Sequence, residues 1–75
     1  MSAPVQEVPI RDEAIRLGQL LKLAGVAPDG SLARAVVEAG EVTVDGAVET
    51  RRGARVRPGA TVRYAGHTLR VTAGG

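Results

Sequence analysis

The sequence predicts an α+β fold, two short helices packed on a small antiparallel sheet of hairpins. Three observations lead there. Leu17, Leu20, Leu21 and Ala24, then Leu32, Ala33, Val36 and Val37, recur at three- and four-residue spacing, which puts an apolar stripe on each of two helices. Gly25 and Gly40 follow those stripes at once and suit the left-handed position that closes a helix. Downstream, Asp45-Gly46 and Ala65-Gly66 each sit between alternating apolar and polar residues, the pattern of tight hairpins.

Taken in order, Val5 to Ile10 alternates weakly and contains Pro9, which confines a strand to a sheet edge. It reads as an edge strand or an extended arm, with Asp12-Glu13 as a turn. The first helix runs from Leu17 to Ala24, with Leu23 widening its apolar stripe and Gln19 and Lys22 opposite. Ala27-Pro28-Asp29-Gly30 is a turn by composition. The second helix spans Ser31 to Ala39 and can be capped by Asp29 or Ser31, whose side-chain oxygens accept orphan amide hydrogens. Arg34 and Glu38 lie one turn apart on its open side, the spacing of a surface ion pair.

The hairpin over Glu41 to Thr50 admits two registers. A two-residue turn sets Val44 opposite Ala47; a three-residue loop with a glycine bulge brings Val48 onto the face of Val44. Its second strand feeds the basic stretch Arg51-Arg52-Gly53-Ala54-Arg55-Val56-Arg57, read as a loop that Val56 tucks against the core. Pro58-Gly59 makes the next turn. In the last hairpin a two-residue turn pairs Val62 with Leu69 and Tyr64 with His67. Val62, Tyr64, Leu69 and Val71 then share the buried face, and Thr61, Arg63, Thr68, Arg70 and Thr72 the wet one. Arg63 and Arg70 read as exposed cations serving solubility and edge protection.

Seventy-five residues suffice for one domain, with a core over roughly 16–72, an N-terminal arm or edge strand at 1–15 and a tail at 73–75. The lack of Cys removes disulfides, thiolate ligands and thiol catalysis, and fits a reducing cytosol. His67 is the single imidazole, so no His/Cys zinc site can be assembled, and it lies beside a hairpin turn with no carboxylate near it in sequence. No glycine-rich phosphate motif occurs, no apolar run approaches a membrane span, and Met1-Ser2-Ala3-Pro4 has neither part of a secretion signal. A soluble cytoplasmic protein with no enzymatic activity, no metal and no cofactor is expected.

Charge points to a partner. Met1 to Thr50 holds four cations against eight acids, whereas Arg51 to Gly75 holds six arginines and no acid. Like charges this concentrated repel unless a polyanion uses them, so nucleic acid is the expected ligand. Phe and Trp are absent and Tyr64 is the one aromatic ring, so base stacking on an aromatic platform is not available. Arginines on a hairpin loop and beside helix ends suit phosphate contacts and the shape of a folded RNA, since a guanidinium forks onto phosphate where an ammonium cannot. The helix start at Gly30-Ser31 also favours an anion. Lys22 has two readings, an RNA contact and a complement to the C-terminal end of its helix dipole.

Leu20-Leu21-Lys22-Leu23-Ala24-Gly25, the helix start Gly30 to Ala33, Gly40-Glu41-Val42-Thr43-Val44-Asp45-Gly46 and Glu49-Thr50-Arg51-Arg52 resemble, in order and spacing, the RNA-binding domain first described in ribosomal protein S-four, the alpha-L RNA-binding motif. The likeness is greatest to small stand-alone bacterial proteins built from that domain, and covers Arg16 to Tyr64 with the turn at Ala65-Gly66-His67. It implies binding of structured RNA, often ribosomal, on a face of the helix pair and hairpin. Carried over by position, that face includes Lys22, Ser31 and Arg34 on the helices and Arg51, Arg52, Arg55 and Arg57 on the loop. The family's usual Ser-Arg pair at the second helix is absent. Gly30-Ser31-Leu32-Ala33-Arg34 stands there, with Arg34 as the substitute cation one turn along. A monomer is expected, and four phosphate contacts would give a log–log salt slope of roughly −3.

Two other classes were open on sequence. A β-grasp sulfur carrier would use the Gly74-Gly75 end, although its hairpin should precede its main helix. A protein–protein adaptor would use the acidic N-terminal half.

Overall fold

The computed structural model describes residues 4–74. Strand β1 (Val5–Ile10) is followed by the two-residue β2 (Ile15–Arg16), helices α1 (Leu17–Leu23) and α2 (Gly30–Glu38), the hairpin β3 (Val42–Val44) and β4 (Ala47–Val48), a second short strand β5 (Arg55–Val56), and the closing hairpin β6 (Thr61–Tyr64) and β7 (His67–Ala73). Five strands form one sheet in the order β1-β7-β6-β3-β4, and β2 pairs with β5 in a separate antiparallel ladder.

Both helices form where the stripes place them, but the stripes are narrower than expected. Leu17, Leu20 and Leu21 of α1 and Ala33, Val36 and Val37 of α2 are buried, and they meet Val8, Ile10, Val42, Val62, Leu69 and Val71 from one face of the sheet. Leu23 and Leu32 are corrections: they are 60% and 39% exposed, because at about 3.6 residues per turn each lies about a quarter-turn or more around its helix from the centre of the buried stripe. Of the two candidate caps Asp29 serves, its Oδ1 accepting from the Leu32 amide at 2.9 Å. Gly25 and Gly40 close the helices at φ +77° and +76°.

The hairpin register at Asp45-Gly46 is the two-residue one, with Val44 opposite Ala47 and both turn residues at positive φ, the primed geometry that follows strand twist. Asp45 accepts this conformation and uses its side chain, Oδ1 taking the Thr61 amide at 2.9 Å. The second hairpin pairs Val62 with Leu69 and Tyr64 with His67, as expected.

Three features depart from the expectation. The N-terminal segment is the edge strand of the alternatives, but it runs parallel to β7, so the sheet is mixed rather than antiparallel. Parallel partners need no shared turn, and nothing local in the sequence announces them. Gln6 secures this strand to α1 by donating to the Ala24 carbonyl at 3.0 Å. Second, β6 and β7 are interior strands, so Arg63 and Arg70 protect no edge. Third, the basic stretch is not a free loop, since Arg55 and Val56 form β5. The β1–β7 pairing also accounts for Gly74: its amide donates to the Ile10 carbonyl at 2.8 Å, and a Cβ there would come within 2.5 Å of the Pro9 Cβ. Helices preceding the Asp45-Gly46 hairpin are not the order of a β-grasp carrier, and Gly75, which that reading needs, lies outside the described residues.

Candidate nucleic-acid interface

The first turn of a helix has backbone amides with no partner inside the helix. In α1 the N-cap is Arg16, whose side chain makes no capping bond. The basic stretch supplies the partners instead. Leu17 N–H donates to the Ala54 carbonyl and Gly18 N–H to the Arg52 carbonyl, each at 2.9 Å. Arg51 to Ala54 is itself a tight turn, closed by the Ala54 amide on the Arg51 carbonyl at 3.1 Å. Beyond it Ile15 pairs with Val56 and Arg16 with Arg55, and Val56 is 2% exposed. The arginine segment is therefore held by its backbone and one buried valine, which leaves its guanidinium groups outside. Gly18 lies where the turn crosses α1; a Cβ there would sit 3.5 Å from both the Arg52 Cβ and carbonyl oxygen.

This docking makes two adjoining clefts. One, of about 220 Å³, is lined by Arg16, Gly18, Gly30, Ala33, Arg34, Arg52 and Gly53. The other, of about 290 Å³, lies between Arg16, Arg55 and the Asp12 to Ile15 segment. Arg16 lines both. Arg16 and Arg55 face each other across the ladder, where like charges repel. Among the described residues the arginine–carboxylate pairs are Arg34–Glu38, at 2.9 Å, and Arg51–Glu49, at 3.6 Å with the Arg51 amide also on Glu49 at 3.1 Å. Arg16, Arg52, Arg55 and Arg57 have no such partner. Both partners of Arg34–Glu38 and the Arg51 side chain are exposed, with Glu49 half-buried, so among the described pairs either arginine can exchange its carboxylate for a phosphate at small cost.

The expected site residues thus separate. Arg34, Arg52 and Arg55 line the two clefts. Arg51 is exposed at the near end of the tight turn, 84% exposed at its side chain, and Arg57 is exposed at the start of the next turn, its carbonyl accepting from the Ala60 amide at 3.0 Å. Ser31 is exposed beside Gly30 but does not line the cleft, and the Asp29 carboxylate that caps α2 offsets part of the positive field expected there. Lys22 lies in the last turn of α1, at the far end from Gly18, and lines neither cleft. Arg16, which lines both clefts, was not among the expected site residues. Its signal was present: a cation immediately before a helix opposes the helix dipole, and no acid occupies the first turn to offset it.

Among the described residues no group of three or more metal-ligating side chains occurs, and no helix is long and apolar enough to cross a membrane.

Comparisons with known proteins converge. The family profile that describes the S4 domain matches residues 8–72. The chain is 44% identical over 59 residues to "Putative RNA-binding protein YbcJ" of Escherichia coli (strain K12), covering 79% of this chain and 84% of that one. "Uncharacterized protein YbcJ" of Shigella flexneri matches with the same identity and coverage. Among solved structures, the solution structure of YbcJ from E. coli, described as revealing an alfaL motif involved in RNA-binding, superimposes with a TM-score of 0.65 at 38% identity, covering 92% of this chain and 86% of that one.

Proposed function

The chain belongs to the S4 domain family, and from that premise we propose that it is a non-enzymatic, cytoplasmic RNA-binding module of one domain. It acts as a monomer and grips structured RNA, with ribosomal RNA the leading candidate. The observation that carries this reading is the acid-free cleft lined by Arg16 at the N-cap of α1, Arg34 of α2 and Arg52 of the tight turn on a backbone-fixed frame, with Arg55 of β5 in the adjoining cleft that Arg16 shares with Asp12 and Glu13. A frame of this kind suits phosphates of a folded RNA, because it offers cations at set positions and no ring to stack a base. Arg16, Arg34, Arg52 and Arg55 are the principal contacts. Arg51 and Arg57 extend the face at either end, and Lys22 and Ser31 border it.

The test is replacement of Arg51, Arg52 and Arg55 by Ala, with binding to bacterial ribosomal RNA and to an RNA stem–loop measured at low salt. Affinity falls while the thermal transition stays within a few degrees of the parent. An unchanged affinity would overturn the assignment.

A further inference from the structure

The arginine clefts use four of the six arginines in the last third of the chain at most. The other two lie elsewhere. The helices cover one face of the five-stranded sheet, and the opposite face is open to solvent. Strand register sets out what that face carries. One row crosses all five strands as Val5, Thr68, Arg63, Thr43 and Val48. The next holds Glu7, Arg70 and Thr61. Thr72 follows on β7.

Arg63 therefore sits between two threonines on neighbouring strands, with side-chain origins about 5 Å to either side. Arg70 is its diagonal neighbour, about 7–8 Å away. Both are exposed, and among the described residues neither forms an ion pair, although Glu7 stands opposite Arg70 on β1 and Glu41 lines the groove beside Arg63. Their position on interior strands removes edge protection as the explanation. Beside Arg63 runs an open groove of about 520 Å³, which continues past Thr43 and Thr68 to Tyr64 and His67 at the end of the sheet. None of its lining residues lines the arginine clefts.

Resting on the RNA-binding reading above, we infer that this open sheet face is a second RNA-binding surface, one that takes the phosphate backbone of a single-stranded segment. Arg63 and Arg70 contact successive phosphates, and the hydroxyls of Thr43 and Thr68 flank the first of them. Hydroxyl and guanidinium groups are the side chains that meet phosphate and sugar oxygens. An apolar protein partner would want a cluster of large side chains at the centre of the face, and here the centre is arginine and threonine, with Val5 and Glu7 at one margin and Val48 at the other. The molecule is 22 Å in its thinnest direction, so one RNA can engage the clefts and pass its flanking strand over the sheet. Two linked contacts then strengthen each other by effective concentration.

Octauridylate, which has no stem, is the probe. Its binding is measured by fluorescence anisotropy on the parent, on R63A/R70A and on R52A/R55A, beside an RNA stem–loop lacking single-stranded ends. Octauridylate binds the parent and R52A/R55A alike and R63A/R70A much more weakly. Between about 50 and 200 mM salt the parent loses about sevenfold more of its octauridylate affinity than R63A/R70A does, the share of two phosphate contacts at ~0.7 each. Amide shifts in the parent on titration with octauridylate fall on Thr43, Arg63, Thr68 and Arg70, a readout that needs no variant to fold. The inference is overturned if R63A/R70A binds octauridylate as the parent does, if both double variants weaken it equally, or if the parent does not bind octauridylate, whether or not it binds an octaglutamate peptide. Stem–loop binding separates the two readings: its loss in R52A/R55A upholds the clefts whatever octauridylate does, and its absence in the parent sinks the clefts themselves.

Discussion

Val56→Ala separates what holds the arginine frame from what the frame presents. Val56 is 2% exposed and is the apolar anchor of β5, opposite Ile15 in a two-residue ladder. Removing two buried carbon groups forfeits ~0.8 kcal/mol each, with a further part for the cavity, so the loss is about 2 kcal/mol. A chain of this size has roughly 4–11 kcal/mol in all. The melting temperature should therefore fall by about 8–16 °C. The frame also keeps the two amide–carbonyl bonds from Leu17 and Gly18, together worth ~2 kcal/mol. Well below the transition the segment thus stays docked, and RNA affinity at 10 °C changes by less than about twofold.

Arg55→Ala does the reverse. It removes an exposed side chain and a like-charge neighbour of Arg16, so the melting temperature moves by no more than about 2 °C. RNA affinity falls, and the log–log salt slope becomes shallower by about 0.7–0.9. Circular dichroism melts and anisotropy titrations at two salt concentrations measure both effects. A Val56→Ala transition within about 4 °C of the parent, or an Arg55→Ala transition lowered as far as Val56→Ala, would refute the division between anchor and contact.

Asp29→Ala removes the side-chain cap of α2 and should cost about 1 kcal/mol, seen as a lower midpoint in urea with an unchanged slope, while RNA affinity does not fall. Ala65 holds φ +48° in the β6–β7 turn, so Ala65→Gly should relieve about 1 kcal/mol of backbone strain and raise the melting temperature by ~4–8 °C.

What was legible in the sequence was whatever has a local period or a local turn. The stripes of Leu17, Leu20 and Leu21 and of Ala33, Val36 and Val37 mark the inner faces of both helices, and a two-residue turn at Ala65-Gly66 gives the register found in the last hairpin. Asp45-Gly46 left two registers open because Ala47 and Val48 are both small, apolar and exposed, so neither face preference decides between them. The parallel pairing of β1 with β7 joins segments from opposite ends of the chain, which no neighbouring residue encodes. The β2–β5 ladder is two residues long and has no period to read. That ladder hid Arg16, which belongs in sequence to the entrance of α1 and in space to the arginine segment. The charge count located the basic last third of the chain, but folding brought in a cation from the acidic remainder and sent Arg63 and Arg70 to another face.

The central claim is that cations held around the N-terminus of α1 neutralise RNA phosphates. The most direct measurement is the salt dependence of stem–loop binding for the parent and for R16A/R52A/R55A, with folding checked by circular dichroism. The parent should show a log–log slope of roughly −3, and the triple variant a slope of about −1, because three phosphate contacts at ~0.7–0.9 each are gone. A folded triple variant that keeps the parent's slope would contradict the account.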